Sequence, residues 1–292
     1  MDLRVNDPVR IGTEEFAGGR LLGWAEWGPQ DGVPVLLSPG AATSRHLGFG
    51  DGVVDGFGVR LISFDRPGLG ASSPLPGRTF GDFVEDIRAF SARRGLDRPL
   101  MVGNSQGAPF ALACAAAGVV GALAVVSGAD EVAEPRFSDA LPDDLRGLVD
   151  LAVSDPAAAE KVFAGFTAQA MWDMVMSHSP ACDLAVYQRP DFASAYRRAL
   201  DEAFAQGAAA GYARDTALAM GRWDIALSDI AVPVDLWYGE KDTSHSPDLG
   251  AGLTARIPGA VRHLVPDAGG SVLWTHADQV LRTLLEHAPS RA

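Results

Sequence analysis

Cysteine, lysine and long apolar runs are all scarce in this sequence of 292 residues. The only two cysteines, Cys114 and Cys182, lie far apart and match neither a metal motif nor a disulfide framework. No apolar run reaches the roughly 18 residues that a membrane-spanning helix needs. The segment Met1–Asn6 has no basic region followed by an apolar core, so we expect no secretory signal. These absences predict a cytoplasmic protein that has no membrane partner.

The balance of charge is strongly acidic, and the composition is that of a globular chain. Formal net charge is −13, with 24 lysine and arginine residues against 37 aspartate and glutamate residues. Such a surface repels a polyanion, which argues against a nucleic-acid partner. Hydrophobic residues make up 47% of the chain and charged residues 21%, which is enough apolar material for a large buried core.

Strands and helices alternate in two blocks of the sequence. Short apolar runs predict strands at 20–27, 33–37, 59–64, 100–102, 122–126, 234–238 and 261–265. Helical periodicity between them predicts helices at 79–94, 106–117, 249–256 and 272–287. Alternation of this kind predicts an α/β fold with a mostly parallel sheet that is covered by helices on both faces.

A purely helical segment interrupts the alternation. Residues 131–223 predict four helices with no strand between them, at 141–153, 157–176, 192–206 and 209–220. The simplest interpretation is a helical cap, or lid, that is inserted into one α/β core. We therefore divide the chain into a core of residues 1–130 and 224–292 and a cap of residues 131–223.

The strongest chemical signal is the segment Gly103-Asn104-Ser105-Gln106-Gly107. It fits the pattern G-x-S-x-G and lies between a predicted strand and a predicted helix, which is the context that a nucleophile elbow requires. A tight strand-to-helix turn would lift the hydroxyl of Ser105 out of the sheet, and the flanking glycines would leave room for the turn. The N–H of Gln106 would then point to where an oxyanion forms.

With this motif the chain resembles the α/β-hydrolase superfamily, in its branch of lidded esterases, peptidases and lactonases. The resemblance extends from about Gly19 to Leu285. It includes the segment Phe64–Ser72, which looks like the loop after the fourth strand in that family, and Gly239-Glu240-Lys241-Asp242, which looks like the loop that carries the catalytic acid. The resemblance implies the α/β-hydrolase fold, with a mostly parallel eight-stranded sheet, helices on both faces and an inserted helical lid.

The resemblance also implies catalytic roles for individual residues. Nucleophile, acid and histidine follow one another along the chain in this fold, which makes Ser105 the nucleophile and Asp242 the acid. Asp130, after the sixth strand, is the alternative acid. The family commonly has His-Gly after the third strand, whereas this chain has Pro39-Gly40 followed by Ala41. The oxyanion hole needs only backbone N–H groups there, so we assign it to Ala41 and Gln106.

The position of the triad histidine departs from the family pattern. After the last strand, where relatives read Gly-His, this chain has Gly269-Gly270, and the register places Gly270 on the histidine position. Glycine cannot take a proton from Ser105, and a serine hydroxyl without a base is a poor nucleophile at neutral pH. His245 and His46 are candidate substitute bases, although for each we favour a role at the surface or in packing. The sequence therefore predicts a serine hydrolase that is inactive or atypical as written.

Three functions remain open on the sequence alone. The first is hydrolysis of an ester, lactone, thioester or amide of a mostly apolar, carbonyl-bearing small molecule, since apolar side chains are frequent in the predicted lid. The second is a non-hydrolytic binding or receptor protein on the same scaffold. The third is a lyase, cyclase or isomerase that uses the oxyanion hole to polarise a carbonyl. No metal cluster, phosphate loop or dinucleotide motif is present in the sequence, so we expect no metal and no cofactor.

Overall fold

The computed structural model describes residues 5–288. Residues 1–4, which belong to the segment in which we expect no secretory signal, and residues 289–292 lie outside that range. One eight-stranded sheet forms the centre of the described chain. Its strands are β1 Arg10–Glu15, β2 Leu21–Trp27, β3 Val33–Ser38, β4 Val59–Phe64, β5 Leu100–Asn104, β6 Ala122–Val126, β7 Val234–Gly239 and β8 Val261–Val265.

The strands are arranged in the order β1-β2-β4-β3-β5-β6-β7-β8. β2 pairs antiparallel with both β1 and β4, and all the remaining neighbours are parallel. The carboxyl ends of β3, β5, β6, β7 and β8 therefore meet along one edge of the sheet, where the loops of an α/β fold build a site. The predicted mostly parallel eight-stranded sheet is confirmed.

Twelve α-helices accompany the sheet within residues 5–288. They are α1 Val53–Gly56, α2 Phe80–Arg93, α3 Gly107–Ala116, α4 Asp143–Ser154, α5 Pro156–Phe163, α6 Ala168–His178, α7 Ala181–Tyr187, α8 Pro190–Ala203, α9 Tyr212–Met220, α10 Ala251–Arg256, α11 Val272–Thr275 and α12 Ala277–Leu285. Helices α4 to α9 all fall between β6 and β7; residues 131–223, which include them, are called the cap below. No helix within residues 5–288 is long and apolar enough to cross a membrane.

The two faces of the sheet explain why the central strands are mostly apolar. Along β5, Met101 packs with α2 and α3 on one face, whereas Leu100 and Val102 pack with α12 on the other. Successive side chains of a strand point to opposite faces, so a strand that is covered on both sides has a nearly continuous apolar run. Both faces carry a closed apolar core, which holds the loops at the carboxyl edge in fixed positions.

Several element boundaries differ from those expected from the sequence. The edge strand β1 and the cap helix α7 were not predicted. The single helix expected at 157–176 is two helices, because Thr167 leaves the helical conformation and its hydroxyl caps the second helix at the N–H of Ala170. The expected helix 272–287 is likewise divided at His276, whose backbone (φ −129°, ψ 29°) is not helical.

Candidate active site

The elbow after β5 places Ser105 at the carboxyl edge of the sheet. Ser105 has a positive φ of 49°, in the left-handed region that an L residue seldom adopts. Both flanking glycines are required by close contacts: a Cβ on Gly103 would lie 2.7 Å from Cβ of Ala111, and one on Gly107 only 2.1 Å from the carbonyl oxygen of Ser38. The predicted turn therefore has the tight packing that G-x-S-x-G implies.

The loop after β3 lies against this serine. A Cβ built on Gly40 would be 3.3 Å from Cβ of Ser105. The buried guanidinium of Arg66 donates hydrogen bonds to the carbonyl oxygens of Pro39 and Gly40, which holds this loop in place. Among the described residues, no protein acceptor takes the backbone N–H of Ala41 or of Gln106. Both N–H groups that the sequence assigns to an oxyanion hole are therefore without a protein acceptor in the described part of the chain.

A histidine lies within hydrogen-bonding distance of Ser105. Nε2 of His245 is 3.1 Å from Oγ of Ser105, and Nδ1 of the same ring is 2.9 and 2.8 Å from the two carboxylate oxygens of Asp242. With the proton on Nδ1, the ring donates to Asp242 and accepts from the serine hydroxyl. The tautomer is assigned from these contacts. Ser105, His245 and Asp242 thus have the connectivity of a catalytic triad.

The surface or packing role favoured for His245 is therefore wrong, and this candidate substitute base lies within reach of Ser105. The sequence favoured a surface or packing role for His245, yet its side chain is only 18% exposed and it contacts both Ser105 and Asp242. Gly270 contributes space instead of a proton acceptor, because a Cβ at that position would lie 2.6 Å from Cε1 of His245. The imidazole occupies the volume into which a side chain at position 270 would project.

Hydrogen bonds hold the loop that carries Asp242 and His245. The carboxylate of Asp242 accepts the backbone N–H of Ser244 at 3.0 Å, and the backbone N–H of Asp242 donates to the carbonyl of Gly239. The carbonyl of His245 accepts the N–H of Asp130 at 3.0 Å. A turn of four residues, Asp242 to His245, can therefore present acid and imidazole together, because its backbone is bonded at both ends.

The other two candidate residues lie elsewhere. The carboxylate of Asp130 accepts hydrogen bonds from Ser246 and from the backbone of Glu131, and the imidazole of His245 contacts Asp242 instead. Asp130 is thus not placed as the acid of the triad. Nδ1 of His46 lies 2.5 Å from a carboxylate oxygen of Glu202 on the cap helix α8, so the packing role expected for His46 agrees with its contacts.

The electrostatics of the site favour an ionised acid and a basic imidazole. Burial raises the pKa of Asp242, but the charge of His245 and the hydrogen bonds to the carboxylate outweigh this and lower its pKa below the ordinary value. Burial lowers the pKa of His245, but the charge and hydrogen bond of Asp242, with a further contribution from Asp183, raise its pKa overall. The pair therefore favours the charged forms of both groups, the carboxylate and the imidazolium.

A hydrogen bond and ion pairs connect the cap to residues next to Ser105. Nε2 of Gln106 donates to the hydroxyl of Thr216 on α9 at 3.0 Å. The carboxylate of Asp215 on the same helix pairs with Arg66 and Arg78. Within residues 5–288, no group of three or more His, Cys, Asp or Glu side chains is arranged to hold a metal ion.

Known proteins share this fold at low sequence identity. Over 95% of the chain, the fold matches all of a bromoperoxidase from Bacillus anthracis, with 19% identity and a TM-score of 0.68. An esterase from Rhodococcus matches over 94% of this chain and 98% of its own, with 18% identity and a TM-score of 0.65. For an enol-lactonase from Burkholderia xenovorans the shares are 92% and 97%, with 18% identity and a TM-score of 0.64.

The family is shown by a sequence model. No match was found among curated proteins. The model described as the alpha/beta hydrolase fold matches residues 33–277, a range that begins at β3 and contains Ser105, Asp242, His245 and Gly270. The chain belongs to the α/β-hydrolase fold family.

Proposed function

We propose that the protein is a serine hydrolase that cleaves an ester, lactone, thioester or amide of a mostly apolar small molecule. In this proposal Ser105 is the nucleophile, His245 is the general base and Asp242 orients the base. Backbone N–H groups of Ala41 and Gln106 bind the oxyanion. The observation that carries the proposal is the contact of 3.1 Å between Nε2 of His245 and Oγ of Ser105, made by a ring that also bonds Asp242.

The reaction follows from these contacts. Oγ of Ser105 attacks the carbonyl carbon of the substrate while its proton passes to Nε2 of His245. The carbonyl oxygen becomes an oxyanion, which accepts hydrogen bonds from the backbone N–H groups of Ala41 and Gln106. His245 then gives the proton to the leaving oxygen, sulfur or nitrogen, and an acyl group remains on Ser105. A water molecule, deprotonated by the same imidazole, hydrolyses this acyl-enzyme and restores the serine.

The chemistry of the cap supports an apolar substrate. Aromatic rings of the cap pack together in a continuous group, with Tyr187 against Phe192 at 5.5 Å and Trp172 against Tyr196 at 5.9 Å between ring centroids. If apolar side chains of the cap also contact the substrate, as this proposal assumes, a ligand with an apolar body and a carbonyl is favoured. An enol-lactonase and an esterase are among the proteins that share this fold, which is in keeping with a carbonyl-bearing substrate.

The receptor alternative rested on the missing histidine, and the lyase, cyclase or isomerase alternative on the range of functions that one fold supports. A receptor needs no polarised serine, and a lyase or isomerase would use the oxyanion donors without a nucleophile. The contact between His245 and Ser105 supports hydrolysis over both. Hydrolysis uses all five groups at the site, so it is the function that the geometry supports best.

The test is hydrolysis of p-nitrophenyl acetate by the wild-type protein and by Ser105→Ala, His245→Gln and Asp242→Asn. We expect kcat to fall on the order of 10⁴-fold or more in each variant, because members of a triad act as a unit. His178→Gln is the matched control, since that exposed cap histidine bonds only its own helix, at the carbonyl of Met174, and the neighbouring Ser177. It should retain full activity.

A second readout makes the test independent of the ester. A fluorophosphonate forms a covalent bond with an activated serine, and mass spectrometry locates the bond. We expect labelling at Ser105 in the wild-type protein and in His178→Gln, and none in His245→Gln. Rapid labelling of His245→Gln, together with unchanged ester hydrolysis, would overturn the proposal.

A further inference from the structure

The cap inserts one buried carboxylate beside the candidate triad. Asp183 lies on α7 and is only 2% exposed. Its Oδ2 accepts the backbone N–H of Gly270 at 2.7 Å, and its Oδ1 accepts that of Ser271 at 3.0 Å. Both N–H groups belong to the loop after β8 that passes below the imidazole of His245. A residue of the cap therefore holds the segment against which the candidate base packs.

The two glycines of that loop fit two different side chains. A Cβ on Gly269 would lie 2.3 Å from Oδ2 and 2.7 Å from Cγ of Asp183. A Cβ on Gly270 would lie 2.6 Å from Cε1 of His245 and 3.6 Å from Oδ2 of Asp183. Real Cβ atoms do not approach other atoms at 2.3 or 2.6 Å. Gly269 thus accommodates Asp183 and Gly270 accommodates His245, so that carboxylate and imidazole lie next to each other over one backbone segment.

We propose that Asp183 is a positioning residue for the general base His245, acting from the cap. Its two hydrogen bonds fix the Gly269–Ser271 loop below the imidazole, and its charge lies close enough to favour the protonated ring during the reaction. This inference rests on the proposed function, because it assigns Asp183 a role through His245 and gives it no contact with substrate.

No cationic side chain among the described residues neutralises the carboxylate of Asp183. Among the described residues, no arginine, lysine or histidine forms an ion pair with it; its partners are the two N–H groups. Charges that bear on the imidazole of His245 are those of Asp242 and Asp183, and both raise its pKa against the opposing effect of burial. The phenol of Tyr187, one turn further along α7, has its pKa raised by burial and then by Asp183, so it remains neutral.

Aromatic packing fixes the position of α7. The ring of Tyr187 meets Trp274 of α11 edge-on, with 6.2 Å between centroids, and Phe192 meets the same indole at 5.1 Å. Asp183 and Tyr187 are four residues apart and therefore share a face of the helix. The aromatic contact of Tyr187 and the hydrogen bonds of Asp183 together join the cap to the segment that begins with Gly270.

The test compares Asp183→Asn with wild type in kcat, KM and the pH profile of kcat/KM for the same p-nitrophenyl ester. Asparagine keeps the size but loses the charge and one of the two acceptor oxygens. We expect kcat to fall about 10- to 100-fold with little change in KM, as for other groups that orient a catalytic residue. The acid limb of the profile should move to lower pH, because one charge that favours the imidazolium is gone.

Asp86→Asn is the matched control for the loss of a buried carboxylate. Asp86 is 1% exposed and pairs with Arg20, and it makes no contact with a residue of the site. Its substitution should lower stability without moving the acid limb. Should Asp183→Asn not fold, the same measurements on Gly269→Ala decide, because the added methyl group displaces the carboxylate of Asp183 and leaves every triad residue unchanged.

The outcomes separate this inference from the proposed function. If Asp183→Asn (or Gly269→Ala) loses only stability and keeps both kcat and the acid limb, Asp183 is structural and the inference fails. His245→Gln and Ser105→Ala are measured in parallel. If these two keep their activity, the proposed function itself fails, whatever Asp183→Asn does.

Discussion

The imidazole of His245 occupies the space above Gly270. A Cβ on Gly270 would lie 2.6 Å from Cε1 and 3.1 Å from Nδ1 of the ring. The backbone of Gly270 does not have a positive φ, so space and not conformation requires glycine at this position. The glycine that seemed to remove the base from the site is the residue that admits the base from another loop.

Gly270→Ala should therefore impair catalysis with little effect on the fold. The methyl group pushes the imidazole away from Ser105, and a displacement of about 1 Å at a reacting group costs on the order of 100-fold in rate. Steady-state kcat for a p-nitrophenyl ester, compared at equal folded concentration, checks this.

Gly147→Ala on α4 is the control, because a Cβ there meets nothing within 4 Å. It should keep full activity and gain up to about 1 kcal/mol in the free energy of unfolding. Equal activity in Gly270→Ala and wild type would contradict the assignment of this space to His245.

A histidine at position 270 should recover activity only when His245 is absent. Gly270→His alone forces two imidazoles into one volume, and we expect it to be as impaired as Gly270→Ala or more so. In the double variant His245→Ala/Gly270→His, the new side chain enters the space between Ser105 and Asp242 that the first substitution empties. The expected result is a kcat at least tenfold above that of His245→Ala. A double variant no faster than His245→Ala would show that position 270 cannot present an imidazole to Ser105.

The sequence was sufficient to predict the fold and the elbow. Apolar runs such as Val33–Leu37 and Ala122–Val126 have the composition of strands buried on both faces, and they are β3 and β6 of the sheet. The spacing of Gly103, Ser105 and Gly107 indicates the turn, although the contact that requires Gly107 is with the carbonyl oxygen of Ser38 in another strand. Local features of this kind are visible in a single sequence because the residues that cause them are neighbours along the chain.

The contact between His245 and Ser105 could not be predicted in the same way. These residues are 140 positions apart, and their distance depends on the path of the loop after β7. The available signal was the spacing Asp-x-x-His at Asp242 and His245, which a short turn bonded at both ends brings together. The family pattern directed attention to Gly270 instead. A family pattern gives the usual sequence position of a catalytic residue, whereas catalysis depends only on the position of its atoms in space.

The pH dependence of activity should reflect the raised pKa of His245. The base must be neutral to accept the proton of Ser105, so kcat/KM rises with pH through the pKa of the free enzyme's imidazole. Asp242 and Asp183 raise that pKa against burial, so the midpoint should lie above the ordinary value of 6.5. Asp242→Asn removes the larger of these two effects, and the midpoint of its residual activity should move to lower pH. A wild-type midpoint at or below the ordinary value would contradict the electrostatic role of these carboxylates.

A buried cluster of charges should couple stability to catalysis. The carboxylate of Asp215 on α9 pairs with both Arg66 and Arg78, and all three side chains are almost fully buried. Asp215→Ala would leave two buried guanidinium groups without their carboxylate. Removing one partner of such a group costs about 3–5 kcal/mol, which denaturant unfolding can measure. Glu85→Ala, which breaks an exposed pair with Arg88, should cause no measurable change.

The same substitution should reduce activity, because Arg66 also donates to the carbonyl oxygens of Pro39 and Gly40. With Arg66 no longer held by Asp215, the loop that presents the N–H of Ala41 loses its support. We expect kcat of the folded variant to fall about 100-fold, at the lower end of the cost of losing one oxyanion donor. KM should change less, because this N–H binds the oxyanion more tightly than the ground-state carbonyl. A variant that is destabilised but keeps its kcat would limit Asp215 to a role in stability and leave the oxyanion loop independent of the cap.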